Sequence, residues 1–136
     1  MTNVLINKTI NNIKIADDKL ALLFETNDGD FIVNVEGDCC SSSWIESVEL
    51  PALGFPATVV SVENIEMPDL GQPDEYDYIQ YYGCKIVTDK GEIVIDYRNE
   101  SNGYYGGSLR WPDEKYYYGG VYAQNVSDEK WVDIEV

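Results

Sequence analysis

The chain has no histidine in its 136 residues. That absence removes every Ser-His and Cys-His nucleophilic pair, because no imidazole is available as the base. Positive charge is scarce as well. Nine Lys and Arg face 25 Asp and Glu, a formal net charge of −16, which repels phosphate backbones and anionic membrane surfaces. Direct nucleic-acid binding and membrane binding are therefore not expected. Only two of the basic residues are arginines, Arg98 and Arg110. No run approaches the roughly 18 apolar residues of a membrane span. Residues 1–12 lack the basic start and apolar run of a secretory signal, so a cytoplasmic location is expected. The three cysteines, Cys39, Cys40 and Cys84, are odd in number and two are adjacent, which argues against a disulfide framework. They also lack the fourth ligand and the spacing of a closed zinc site. Asn27, Asp28 and Asp30 surround Gly29, but the twelve-residue loop and terminal Glu of a calcium hand are missing. Gly103, Gly106 and Gly107 fit neither Walker nor Rossmann spacing. No metal and no cofactor are expected.

What is present is a folding sequence. With 44% hydrophobic residues the chain is too apolar for a disordered polymer, and its length suits one domain, residues 1–136. Residues 3–15 read as a short strand. Residues 20–25 and the alternating Phe31, Val33 and Val35 flank the turn Asn27-Asp28-Gly29, which predicts a hairpin. The same pattern returns at residues 84–98, where Thr88 and Gly91 fall over Thr26 and Gly29, so two related hairpins are expected. Residues 57–65 and 78–87 read as strands, with Gly83 marking a bulge or a close backbone approach. Residues 67–77 read as a long acidic loop, and residues 131–136 as a last strand. A serine start, Trp44, Ile45 and Val48 at helical spacing, and Pro51 beyond predict one short helix near Ser42 to Val48. The expected class is mainly β, an antiparallel sheet of two related hairpins, with an α+β arrangement left open by that helix.

All eleven tyrosines lie between Tyr76 and Tyr122. Tyrosine is common on half-buried sheet surface, but Tyr104 and Tyr105 sit between glycines beyond a strand, which points to a contact loop. Both arginines flank it, and a guanidinium pairs with carboxylate or phosphate. Arg98, Asn102, Gly103, Tyr104, Tyr105, Arg110 and Trp111, with Asp38 and Trp44 from residues 37–44 opposite, are the expected lining of a pocket for a small anionic, nucleotide-like ligand. Such a ligand would be stacked by aromatic faces and held by arginine and backbone N–H groups. No residue is assigned a catalytic role. Asp74, Glu75, Asp77, Asp96 and Glu100 could pair for acid–base work only because acids are abundant.

The strings GDCCSSSW at residues 37–44, LPALGFPATV at 50–59 and YRNESNGYYGG at 97–107 resemble a family of small uncharacterised proteins of phage and bacterial genomes. The resemblance implies a phage or prophage setting, hence the host-cell cytosol, and brings no activity with it. In that setting the expected function is non-enzymatic: a small acidic protein that sequesters a nucleotide-derived molecule as a counter-defence sponge. One alternative is an acidic nucleic-acid mimic that binds a host defence protein through Asp69, Asp74, Glu75, Asp77, Asp113, Glu114, Asp128 and Glu129. A second is an enzyme working with carboxylates. A homo-oligomer remains open.

Overall fold

A computed structural model describes residues 4–37, 42–68, 78–101, 107–111 and 130–134. All regular structure among them is strand: β1 (Thr9–Ala16), β2 (Ala21–Thr26), β3 (Gly29–Gly37), β4 (Ser42–Glu49), β5 (Ala57–Glu66), β6 (Tyr78–Thr88), β7 (Gly91–Ser101), β8 (Gly107–Arg110) and β9 (Trp131–Asp133). They form one antiparallel sheet in the order β4-β7-β6-β5-β1-β2-β3-β8, with β9 added to β1. The mainly β expectation holds, and the helix does not. Residues 42–49 are strand β4, paired with β7. A register shift between Ile45 and Ser47 sets Glu46 out as a bulge, so Ile45 and Val48 both turn inward and are buried. A bulge thus turns a spacing of two into a spacing of three and imitates a helical face.

Both hairpins form, and their turns are built alike. Thr26 Oγ1 donates to the Gly29 carbonyl at 2.7 Å and accepts from Asp28 N at 3.1 Å; Thr88 Oγ1 donates to the Gly91 carbonyl at 2.6 Å and accepts from Lys90 N at 3.1 Å. Gly29 and Gly91 have φ of 105° and 124°, a region that side chains disfavour. The likeness extends outward. Thr9 N donates to Asn27 Oδ1 at 3.0 Å and Thr58 N to Asp89 Oδ1 at 2.8 Å, and the hydroxyls of Thr9 and Thr58 meet at 3.0 Å. Replacing each strand from β1 to β4 by the one four places later, and the reverse, returns the same sheet order read backwards. Among the described residues, β1–β8 are therefore two equivalent sets of four strands related by a pseudo-two-fold axis at the Thr9–Thr58 pair, with β9 outside the symmetry. The fourth strand of each set is exchanged: β4 pairs with β7 of the second set, and β8 with β3 of the first.

One core serves both sets. Ile10 and Ile13, Leu22 and Phe24, Val33, Ile45, Val59, Ile86, Ile93 and Ile95 belong to a single buried cluster, the largest stabilising element at about 1.5–3 kcal/mol per fully buried aliphatic side chain. Strands from opposite ends of the order contribute to it, so the sheet closes over its own inner face. Gly83 is a close approach, not a bulge. Its pairing with Asp96 is unshifted, and a Cβ there would lie 2.6 Å from Met67 Sδ.

Candidate functional site

The alternation of β7 buries Ile93, Ile95, Tyr97, Asn99 and Ser101 in turn. Asn99 therefore occupies an inward position with no exposed surface, where an apolar residue would ordinarily stand. A buried amide must be hydrogen-bonded to be tolerated, and Asn99 Nδ2 donates to Ser43 Oγ at 2.7 Å. Ser43 is its cross-strand neighbour on β4. Beside them Gly37 pairs with Gly107. A Cβ on Gly107 would stand 2.7 Å from Ser43 Oγ and 3.2 Å from Asn99 Cβ, so β8 passes against β7 and β4 at this point. Gly107 N donates to Tyr82 Oη at 3.3 Å, and that hydroxyl donates to Gln80 Oε1 at 3.1 Å. Tyr82 in turn stacks on Tyr97 at 5.2 Å. Segments 38–41 and 102–106 thus begin and end on one polar knot. Of the expected ligand-binding residues, Asp38, Asn102, Gly103, Tyr104 and Tyr105 lie outside the described residues.

One position along β7, on the other face, Trp44, Arg98 and Tyr81 are cross-strand neighbours over three strands. The Arg98 guanidinium lies 4.9 Å from the Tyr81 ring centroid, a cation–π contact. Its Nη1 is 3.5 Å from Glu46 Oε1 and its Nη2 3.4 Å from Asp96 Oδ2. Trp44 Nε1 donates to Glu46 Oε2 at 2.9 Å. Both ion pairs are long for charge-assisted bonds, and Arg98 Nε and Asp96 Oδ1 are buried without a hydrogen-bond partner among the described residues. A cleft of about 290 Å3 beside this row is lined by Met67 and residues 78–82.

Arg110 is held differently. Its Nε and Nη2 both reach Glu36 Oε2 at 2.7 Å. Under the pseudo-two-fold axis this pair of β3 and β8 corresponds to the Arg98–Glu46 pair of β7 and β4, with the charges interchanged. Each arginine therefore joins an exchanged strand to its host. Trp111 is buried in the core, its ring centroid 5.9 Å from that of Phe24. The structure thus brings Arg98 to Trp44, while Arg110 and Trp111 serve the other set of strands. Tyr81, Glu46, Asn99, Ser43 and Tyr82 were not foreseen, although counting outward from the Thr88–Gly91 turn does set Tyr81 opposite Arg98. Burial pushes the Cys84 thiol up to about 12 and the Tyr97 phenol, beside Cys84 and Tyr82, also up to about 12. Cys84 is an inert buried thiol at neutral pH; Cys39 and Cys40 lie outside the described residues.

Residues 3–111 match the family model described as Domain of unknown function (DUF7448). The chain belongs to this family. It is also 35% identical over 116 residues to an uncharacterised protein of Acanthamoeba polyphaga mimivirus, covering 80% of this chain and 83% of that protein. No solved structure matches. Among the described residues no helix is long and apolar enough to cross a membrane.

Proposed function

We propose that this family member is a virus-encoded, non-enzymatic binding protein that holds a small nucleotide-derived ligand between segments 38–41 and 102–106 and sequesters it unchanged. The observation that carries this reading is the common base of the two segments, the Gly37–Gly107 pair and the Asn99–Ser43 bond. A site made from two connecting segments depends on rigid support for both, and most of the expected ligand-binding residues belong to these two. Tyrosine faces suit a base, at about 1–3 kcal/mol per stacked base, and glycine N–H groups suit phosphate oxygens. Arg98, one position from the base, has a donor without a partner among the described residues and two long ion pairs, which suits an incoming anion. The mimivirus relative supports the viral setting.

The test is a thermal-shift and calorimetry panel of cyclic dinucleotides and ADP-ribose derivatives on the wild-type, Arg98→Ala and Tyr105→Ala proteins, with the ligand recovered and chromatographed. A raised melting temperature, weakened by both substitutions, with ligand intact, is the expected result. No shift across the panel refutes the reading, and a converted ligand transfers it to the enzyme class.

A second reading, acidic mimicry of nucleic acid toward a basic host protein, draws support from one observation: both arginines are engaged by internal carboxylates, leaving the surface excess acidic. The eight acids expected to form the mimicking face lie outside the described residues. Binding to a nucleic-acid-binding host protein that weakens steeply with salt would favour this reading; salt-indifferent binding would exclude it.

A further inference from the structure

The sets β1–β4 and β5–β8 exchange their fourth strands, and their backbones give no reason for the exchange to stay within one chain. The turns at Gly29 and Gly91 carry the same hydrogen bonds. With those glycines equivalent, Val35, Glu36 and Gly37 of β3 answer to Tyr97, Arg98 and Asn99 of β7. The fourth strands dock in the same register. Val35 and Gly37 pair with Leu109 and Gly107, and Tyr97 and Asn99 with Ile45 and Ser43, so Ile45 answers to Leu109 and the next residue, Glu46, to Arg110. The first set therefore has glutamate at both positions where the second has arginine. A second copy of the chain offers the same two sets. Pairing like with like would bring Glu36 to Glu46 in the first sets and Arg98 to Arg110 in the second.

Opposite charges meet at both native junctions: Arg110 Nε and Nη2 reach Glu36 Oε2 at 2.7 Å, and Arg98 Nη1 stands 3.5 Å from Glu46 Oε1. The side chains of Arg98, Arg110 and Glu36 are only 17%, 22% and 29% exposed, so like charges placed here would be screened less than on an open surface. Asp96, 3.4 Å from Arg98, would soften a meeting of arginines. Its equivalent in the first set is Asn34, which carries no charge to soften a meeting of glutamates. Pairing two second sets would also part the buried Asn99 from Ser43, its partner at 2.7 Å, and set it against Gly107, which has no side chain. We infer that Glu36, Glu46, Arg98 and Arg110 form a pairing code that admits only unlike sets, so that the chain closes on itself and is barred from joining a second copy like set to like set. Exchange of unlike sets between copies keeps every native pair, so the code acts on like sets alone. This inference is independent of the ligand site at segments 38–41 and 102–106.

The experiment is refolding of the full chain from urea at rising protein concentration, with Thr9→Cys as reporter, followed by oxidation. Thr9 meets Thr58 at the pseudo-two-fold axis, so two introduced thiols face each other only where two first sets have paired. Mass mapping separates this 9-to-9 crosslink from any made by Cys39, Cys40 or Cys84. Three backgrounds are compared: wild type, Glu36→Gln with Arg110→Gln, and Glu36→Arg with Arg110→Glu. The last keeps opposite charges at both junctions of the single chain but gives each set one charge of each sign, which makes like sets complementary as well. The crosslink is expected to stay at background in wild type, to rise at least tenfold with concentration in the charge-inverted protein, and to fall between the two in the neutral one. An inverted protein that melts like wild type and crosslinks no more than it overturns the code. Equal crosslinking of the neutral and inverted proteins overturns it too, because loosening of the pair would then be the cause. If the inverted protein does not fold, the neutral one decides, and no excess over wild type overturns the code.

Discussion

Replacing Gly107 with alanine tests the knot under the two connecting segments. The added Cβ would stand 2.7 Å from Ser43 Oγ, 3.2 Å from Asn99 Cβ and 3.3 Å from the Glu36 carbonyl oxygen. The last belongs to the backbone of the paired strand and cannot yield cheaply, and moving Ser43 breaks its 2.7 Å bond to the buried Asn99. Overpacking of this kind costs about 1–3 kcal/mol, and the stiffer unfolded chain returns about 0.4–1 kcal/mol, which leaves a net loss of about 1–2 kcal/mol. Ser43→Ala removes the closest of the three contacts at the cost of one buried hydrogen bond, about 1 kcal/mol. The double variant should therefore be more stable than the sum of the single losses predicts, by about 0.5–1 kcal/mol. Urea denaturation of the four proteins of the cycle measures this. A Gly107→Ala protein as stable as wild type, or strictly additive losses, would refute the packing of β8 against Ser43 and Asn99.

The two hairpin turns allow a matched comparison. Gly29→Ala and Gly91→Ala should each cost about 1 kcal/mol or more because φ is positive. Gly91→Ala should cost more, since its Cβ would meet Ala52 N at 3.0 Å while Gly29 has open space; equal losses in chemical denaturation would contradict this. Tyr97 and Cys84 keep their protons in the folded state up to about 12 against ordinary values of 10.0 and 9.0. The unfolded chain releases these protons first, so stability is at its full value below about pH 9 and falls as pH rises toward 12. Melting temperatures across that window should drop less for Tyr97→Phe than for wild type. Glu36→Gln should lower stability by about 1–2 kcal/mol, since Arg110 donates to it twice in a half-buried setting, whereas Asp28→Asn at the exposed Lys8 pair should leave the urea midpoint unchanged.

The hairpins were legible because their information is local: a threonine hydroxyl three residues before a glycine closes the turn in both, and alternation beyond it assigns the faces. Strand β4 was misread for an equally local reason, the bulge at Glu46 that gives Ile45 and Val48 a helical spacing. The partners of the arginines were not legible. Glu36 and Arg110 lie 74 residues apart, and only the exchange of β4 and β8 brings them together. Trp111 looked like part of a contact loop because its neighbours are polar and glycine-rich. Its burial follows from β8 joining β3, a pairing that no nearby residue encodes. Asn99 was invisible as a keystone because one polar residue in an alternating strand reads as the end of the strand.

The exchanged strands also govern the order in which this chain can be made. During synthesis the edge of β3 waits for β8, which is encoded about 70 residues later, and β4 leaves the ribosome long before its host β7 exists. The first four strands are thus held as an incomplete set, with the inner face of β4 uncovered, until nearly the whole chain has emerged. Pairings of such long sequence separation are closed slowly and expose strand edges while they wait. The pseudo-two-fold architecture, which ties the finished molecule together at both ends, therefore makes its birth the step most open to aggregation or to capture by another copy.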